Sequence, residues 1–216
     1  IAVHQTALVG WGRVVKRLTD VSLSLLLIVI TSPIMLLTAI AIRLSDGGPV
    51  FFRQARLTRG NRVFYVFKFR SNNRKYSGLS PEEAFTKMGK PELITAYRKN
   101  GDFLPHDPRI TPVGRFIRKT SIDELPQLLN VLRGEISLVG PRALVPEELA
   151  MYSRKHTILS VKSGVTGLAQ VSGRRDISYE ERRKLDVYYV QNWTFWGDIG
   201  ILLRTFWITL THRGAN

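Results

Sequence analysis

The chain of 216 residues contains no cysteine. That absence excludes a disulfide framework, a thiolate metal site and cysteine-nucleophile chemistry. Histidine is scarce as well: His4, His106, His156 and His212 are scattered without ligand spacing, which argues against a zinc centre. Acidic residues are in deficit, 17 Asp and Glu against 32 Lys and Arg, leaving a formal net charge of +15. So basic a chain implies an anionic partner: nucleic acid, the anionic face of a membrane, or a phosphate-rich substrate. A hydrophobic share of 44% excludes a disordered polyelectrolyte, and the length suits one domain with an appendage. The first residue is Ile1 rather than methionine, as expected of a processed product or the C-terminal piece of a longer chain.

The run from Val21 to Ile42, VSLSLLLIVITSPIMLLTAIAI, carries no charge and is long enough to cross a bilayer. It is too long for a signal peptide and lacks a small-residue cleavage site after it. A buried helix of a soluble domain is the plainer alternative. Arg13, Lys16 and Arg17 precede the run, and Arg43, Arg53, Arg56, Arg59 and Arg62 follow it, so the positive-inside rule draws both ends to the cytoplasmic side. Ser32-Pro33 lies near its middle, where proline removes a backbone donor and the serine hydroxyl can satisfy a freed carbonyl. The pattern predicts a re-entrant helix-break-helix in one leaflet, with a kinked spanning helix as the alternative.

Ser45-Asp46-Gly47-Gly48-Pro49 is a turn cluster, and PVFFRQARLTRGNRVFYVFKFRS after it reads as a small β-hairpin around Gly60-Asn61. Phe64, Val66 and Lys68 share one face, and Tyr65, Phe67 and Phe69 the other, so both faces are expected to be mostly covered. The arginines of this stretch suit lipid headgroups and a phosphorylated substrate, although aromatic interleaving also suits RNA. Residues 76–105 read as a polar surface insertion, with Ser80-Pro81-Glu82-Glu83 as a helix start.

The stretch DPRITPVGRFIRKTSIDELPQLLNVLRGEISLVGPR, from Asp107 to Arg142, is the most informative. Pro126 and the spacing of Leu125, Leu128, Leu129 and Leu132 predict a helix starting within about four residues before the proline and ending at Gly134. Asp123 and Glu124 then lie at its N-terminus, and Ser121 with Glu124 has capping-box spacing, so helix capping alone could account for both acids. The surrounding cations argue for more. Arg109, Arg115, Arg118 and Lys119 precede the pair, and Arg133 and Arg142 follow it, a field suited to phosphate. One carboxylate can attack phosphorus while its neighbour holds a Mg²⁺ that bridges phosphate oxygens. The tail WTFWGDIGILLRTFWITL, Trp193 to Leu210, has only Asp198 and Arg204 as charges and reads as an interfacial helix, with a second span or a soluble core helix as alternatives.

The Ser-Pro-interrupted apolar segment, PVFFRQARLTRGNRVFYVFKFRS, the Asp107–Arg142 block, SGVTGLAQVSGR and LDVYYVQNWTFWGDIGILLRT together resemble the bacterial sugar transferase family, the monotopic polyprenyl-phosphate phosphoglycosyl transferases. The resemblance covers the chain from about Arg17 onward, and IDELPQL is its most specific part. It implies an α/β, mostly α, monotopic membrane protein: residues 1–44 a membrane-embedded re-entrant hairpin with a basic flank, residues 45–216 a catalytic domain with interfacial helices on the cytoplasmic face of the bacterial inner membrane. The implied reaction moves a sugar 1-phosphate from a nucleoside diphosphate sugar, usually a UDP-sugar, to polyprenyl phosphate and releases UMP, the first membrane step of a surface glycan. By the same resemblance Asp123 attacks the β-phosphate to form a phosphosugar-aspartyl intermediate, and Glu124 helps hold Mg²⁺.

Arg118 is the first candidate phosphate ligand and Arg142, in the Gly140-Pro141-Arg142 turn, the next. Lys68 and Arg70 follow. Asp107 and Arg109 are candidates too, or else pair with each other. Gly164, Gly167 and Gly173 suggest a flexible loop with Gln170 and Arg174 as polar contacts. The family places a functional acid at Asp186, which would otherwise be a surface ion pair to Arg182 or Arg183. Three positions depart from the usual family pattern: Asn72 after Ser71, Ala143 after Arg142, and Ser163 before Gly164. The expected partners are a UDP-sugar, polyprenyl phosphate and membrane lipids, with no nucleic acid; a homodimer is admitted but not required. A catalytically silent scaffold of the same fold and a membrane-tethered nucleic-acid-binding module are the competing readings.

Overall fold

The computed structural model describes residues 6–100, 103–146, 155–173 and 177–211. Helices dominate, with two small sheets. The first element, α1, is a 36-residue helix, Trp11–Asp46, that contains Pro33 and ends on Gly47 in the left-handed region. The sequence predicts two helices separated at Ser32-Pro33; the structure has one. Pro33 cannot donate to the Val29 carbonyl four residues back, and Ser32 Oγ donates to that carbonyl instead at 2.8 Å. Thr31 Oγ1 covers the Leu27 carbonyl in the same way at 2.7 Å. At the expected break the helix therefore runs on but carries a proline and lacks one ladder bond, the feature at which helices kink.

The burial of α1 is inverted relative to a soluble core helix. Its buried residues are Lys16, Asp20, Ser24, Thr38 and Ile42, whereas Leu25, Leu26, Val29, Ile30, Leu36 and Leu37 are exposed. Only 11% of its apolar window is covered by the rest of the protein. An apolar surface this long is stable only against lipid, so α1 associates the protein with a membrane.

Strands β1 (Phe51–Thr58) and β2 (Arg62–Phe69) form the expected antiparallel hairpin, with Phe52 opposite Lys68. Gly60 and Asn61 take the positive φ values that its tight turn needs. Phe64 and Val66 join the main core with Leu128, Val131, Ile136, Leu138, Tyr189 and Ile201. Phe67 and Phe69 are buried on the other face, which leaves Tyr65 exposed. The insertion carries α2 (Pro81–Lys87), started by a Ser80–Glu83 capping box, and α3 (Glu92–Lys99).

Helix α4 (Pro112–Lys119) leads through a 3-10 turn, Ile122–Glu124, into α5 (Gln127–Leu132). Helix α5 thus begins just after Pro126, later than its apolar spacing predicts, because the acidic residues occupy a turn of their own. Strand β3 (Ser137–Val139) pairs in parallel with β4 (Gly164–Thr166), and α6 (Lys155–Ile158) lies between them in sequence. The glycines read from sequence as a flexible loop are close-packed here: a Cβ on Gly164 or Gly167 would overlap the backbone of Gly140. Helix α7 (Leu168–Ser172) is followed by α8 (Tyr179–Gln191) and α9 (Phe195–Thr211).

Helix α9 exposes Trp196, Leu203, Phe206, Trp207 and Leu210 while burying Asp198 and Ile201. The Asp198 carboxylate accepts from Lys16 Nζ on α1, from Tyr189 OH at 2.7 Å and from Trp193 Nε1 at 2.9 Å. This cluster joins α1, α8 and α9. Asp198→Ala would strand the buried Lys16 ammonium, with an expected loss of about 3–5 kcal/mol. The double change Lys16→Met with Asp198→Leu should recover most of it. Thermal unfolding in detergent micelles reads both, and equal losses would show that the pairing of the charge is not what matters.

Candidate active site

The chemistry-bearing acids sit where the chain reverses. Ser121, in the left-handed region at φ 58°, turns the chain out of α4 and into the 3-10 turn that holds Asp123 and Glu124. Its side chain caps nothing; the Glu124 N–H donates to the Ser121 carbonyl at 3.2 Å instead. The capping-box reading therefore fails. The Glu124 carboxylate is turned to β2, where it accepts from Lys68 Nζ at 2.6 Å. Both side chains of this pair keep solvent access, 30% for Lys68 and 40% for Glu124, so it is a reachable group and not a sealed core bridge.

Arg118 arrives from α4. Thr111 caps that helix by accepting the Gly114 N–H at 2.9 Å. Gly114 lies so close to the Ser71 backbone that any side chain would overlap the Ser71 carbonyl oxygen. One turn later Arg118 Nε donates to Ser71 Oγ at 2.7 Å and Nη2 to Asn72 Oδ1 at 3.2 Å. Two residues that leave β2 thus orient the guanidinium, and Asn72, a departure from the family pattern, supplies one of its acceptors.

Asp123 feels all of these groups. Burial, then the neighbouring Glu124 charge, pushes its carboxyl up to about 6, while Lys68 and Arg118 pull the other way. The site is a desolvated carboxyl beside a second carboxylate, with one lysine and one arginine supplying the countercharge.

Other predicted residues lie elsewhere in the fold. Arg70 is buried and committed to Asp46, with Nη1 donating to Oδ2 at 2.6 Å, and to the Pro49 and Asn72 carbonyls. Asp107 and Arg109 form a buried pair at 2.6 Å, and Arg109 lies over the Phe85 and Tyr97 rings at 4.5 and 4.7 Å, holding the insertion to the body. Asp186 is a buried residue rather than a surface one; it accepts from Arg183 Nη1 at 2.8 Å and from the Arg142 backbone N–H. Burial raises its carboxyl to about 6 against those two cations. Asp186 thereby fixes the turn from which the exposed Arg142 side chain projects. Gln170 donates to the Val165 carbonyl at 3.0 Å, while its Oε1 is buried and has no partner among the described residues. Arg174 lies outside the described residues.

Sequence reasoning missed Ser71 and Asn72 as the acceptors for Arg118, Asp46 as the partner of Arg70, and Asn130 behind the hairpin. The lone Asn130 inside the apolar LLNVL run was the one signal available for that last residue.

The chain is similar to known proteins over nearly its whole length. A family model described as bacterial sugar transferase matches residues 11–212. The undecaprenyl-phosphate galactose phosphotransferase of Salmonella typhimurium is 43% identical over 206 residues, 94% of this chain and 42% of its own length. The uncharacterized sugar transferase EpsL of Bacillus subtilis is 42% identical, covering 94% of this chain and 91% of its own. The undecaprenyl-phosphate glucose phosphotransferase of Komagataeibacter xylinus is 38% identical, covering 95% of this chain and 37% of its own. The chain spans less than half the length of the first and third of these relatives.

The raised Asp123 carboxyl has a measurable sign. Its folded value of about 6 lies above the ordinary 3.8, so its contribution to stability is full below about 3.8 and is lost as pH rises through about 6. Asp123→Asn removes that loss. In chelator-containing buffer the variant should match the parent near pH 4 and exceed it by about 2–3 kcal/mol at pH 8. Thermal unfolding across that range tests this; a variant less stable than the parent at pH 8 would show that the cations over-compensate the burial.

Proposed function

Because the chain belongs to the bacterial sugar transferase family, we propose that it transfers a sugar 1-phosphate from a UDP-hexose or UDP-N-acetylhexosamine to a polyprenyl phosphate and releases UMP. The observation that carries the reading is the placement of two adjacent carboxylates, Asp123 and Glu124, in the combined field of Lys68 and Arg118. Cations of this kind receive phosphate oxygens, and a carboxylate supplies the oxygen nucleophile in a chain without cysteine.

In the first half-reaction an Asp123 carboxylate oxygen attacks the β-phosphorus of the donor. The bond from that phosphorus to the bridging oxygen breaks, its electron pair leaves on UMP, and the phosphosugar is esterified to Asp123. A phosphate oxygen of the polyprenyl acceptor then attacks the same phosphorus, the aspartyl bond breaks, and the carboxylate is restored. Two visits in sequence spare one cationic pocket from holding two phosphorylated substrates at once. Arg118, already oriented by Ser71 and Asn72, is placed to stabilise charge on the transferred group. Relatives named for galactose and for glucose bracket the donor class.

The dyad fits a Mg²⁺ shared with substrate. Such an ion needs only one or two carboxylates when phosphate oxygens and water complete its shell, and among the described residues no larger cluster of His, Cys, Asp and Glu forms a dedicated cage. Glu124 would help hold such an ion, which would supply countercharge to the phosphate oxygens.

Residues 1–44 enter one leaflet of the inner membrane and return, and residues 45–216 work on its cytoplasmic face. Support comes from the proline inside α1, the polar residues along its covered side, the arginines flanking both ends and the aromatic surface of α9.

Solubilised protein given a UDP-sugar panel, polyprenyl phosphate and Mg²⁺ should release UMP with at least one donor. Asp123→Asn should lower that rate by roughly a thousandfold or more, and Glu124→Gln by roughly 10–100-fold. Unchanged turnover in Asp123→Asn overturns the nucleophile assignment, and no turnover by the parent favours a scaffold. Topology has its own test, since a chain without cysteine accepts single probes. Arg13→Cys and Arg59→Cys should both be labelled by an impermeant thiol reagent only from the cytoplasmic side; labelling from opposite sides means that α1 spans.

A further inference from the structure

Asn130 is fully buried on α5, in an otherwise apolar stretch, and every bond it makes is directed. Its Oδ1 accepts the Phe67 N–H at 2.9 Å. Its Nδ2 donates to the Tyr65 carbonyl at 2.8 Å and to Glu135 Oε2 at 2.6 Å. The amide orientation is fixed by these partners, since one is a donor and the other two are acceptors. Phe67 N–H and Tyr65 C=O lie on the edge of β2 that faces away from β1. A carboxamide that accepts from one and donates to the other does what a peptide group of a third strand would do. Asn130 is in turn held by Glu135, whose N–H donates to the Asn130 carbonyl at 3.0 Å and whose own carbonyl accepts Thr58 Oγ1 at 2.9 Å.

The geometry points to Asn130 as a positioning residue for the dyad, acting through Lys68; this rests on the transferase reading. Lys68 follows Phe67 directly on β2, and its ammonium meets Glu124 at 2.6 Å. Glu124 and Asn130 lie six residues apart on one continuous segment, so that segment grips β2 twice. Glu124 holds the working end and Asn130 the edge just before it. The Gly60-Asn61 turn sets the register of β2 against β1 but not where the end of β2 lies against the acidic turn, and a slip of the strand along that turn by one residue's rise moves a side chain by about 3.3 Å. Such a slip would withdraw Lys68 from Glu124 and from the charge field of Asp123.

The test is a double-mutant cycle with a second readout that needs no turnover. Asn130→Asp keeps the shape and the acceptor for Phe67 but loses both donated bonds; Asn130→Ala removes all three without adding charge. Each is made alone and with Lys68→Met, thermal unfolding confirms a cooperative fold, and UMP release is measured with the parent's best UDP-sugar. Either Asn130 variant should lower kcat/KM about tenfold or more alone and less than twofold in the Lys68→Met background. Losses that multiply overturn the proposal. In parallel, mass spectrometry follows acylation of Lys68 by an amine-reactive ester, with exposed Lys75 as the internal standard. Lys68 should react several-fold faster in the Asn130 variants than in the parent, and an unchanged rate overturns the proposal even in a variant that is less stable. A parent that turns over no donor defeats the transferase reading, and the acylation rates still decide whether Asn130 positions Lys68.

Discussion

Two carboxylates on adjacent residues of a short turn repel each other, and partial burial raises the cost of charging either. Asp123 and Glu124 are usable as charged groups only because cations are brought to them from two other elements. Lys68 comes along β2, and Arg118 comes down α4. Both deliveries pass through the end of β2: Lys68 lies near its last residue, and Ser71 just beyond receives α4 at its carbonyl and Arg118 at its hydroxyl. Much of the local architecture follows from that convergence. Gly114 lets α4 approach, Ser121 reverses the chain, and Pro126 starts α5 only after the acids have been placed on their own turn.

A second constraint comes from lipid. Helix α1 buries lysine and aspartate against the body and turns most of its leucine and isoleucine outward, so its attachment joins polar bonds to the packing of Leu23, Ile28, Met35, Ala39 and Ile42. Arg17 donates to the Val131 and Leu132 carbonyls at 2.6 and 2.8 Å, which closes the open end of α5. Asp20 accepts from Ser137 Oγ and the Leu138 N–H, both at 3.0 Å, at the start of β3. The membrane helix is therefore tied to α5, which follows the dyad, and to β3, with directional bonds fixing its orientation beside the apolar packing.

The sequence displayed whatever depends on local pattern. The apolar run, the hairpin with its Gly60-Asn61 turn, the Ser80 capping box and the acidic pair among arginines were all legible because periodicity, turn chemistry or charge spacing announces them. What stayed hidden depends on tertiary approach. Capping-box spacing at Ser121 and Glu124 suggested a helix start, but a left-handed serine and the pull of Lys68 gave Glu124 a different partner. Arg70 looked like a phosphate ligand as readily as Arg118 did; only the approach of Asp46 across 24 positions distinguishes them. The glycines of GVTGLAQVSGR suggested flexibility, yet Gly164 and Gly167 are small so that backbones can touch. A glycine's two uses, freedom and close approach, read alike in sequence. Ser163 shows the same limit: its N–H reaches Thr58 Oγ1 at 3.3 Å, a bond that the family's usual proline could not make.

The block from Ile122 to Leu132 divides its labour residue by residue. Asp123 and Glu124 stand beside Lys68 and Arg118, Leu128 and Val131 enter the core, and Asn130 closes the edge of β2. Eleven residues therefore carry the two acids, their attachment to the core and their alignment with the strand that supplies Lys68. Concentrating these roles in one continuous segment keeps Asp123 close to its countercharge. For the proposed reaction, in which both substrates are anionic, this placement matters because the cations would have to stand in place before the first phosphate arrives. A site that had to assemble its lysine and arginine after binding would meet the donor as two bare carboxylates and repel it.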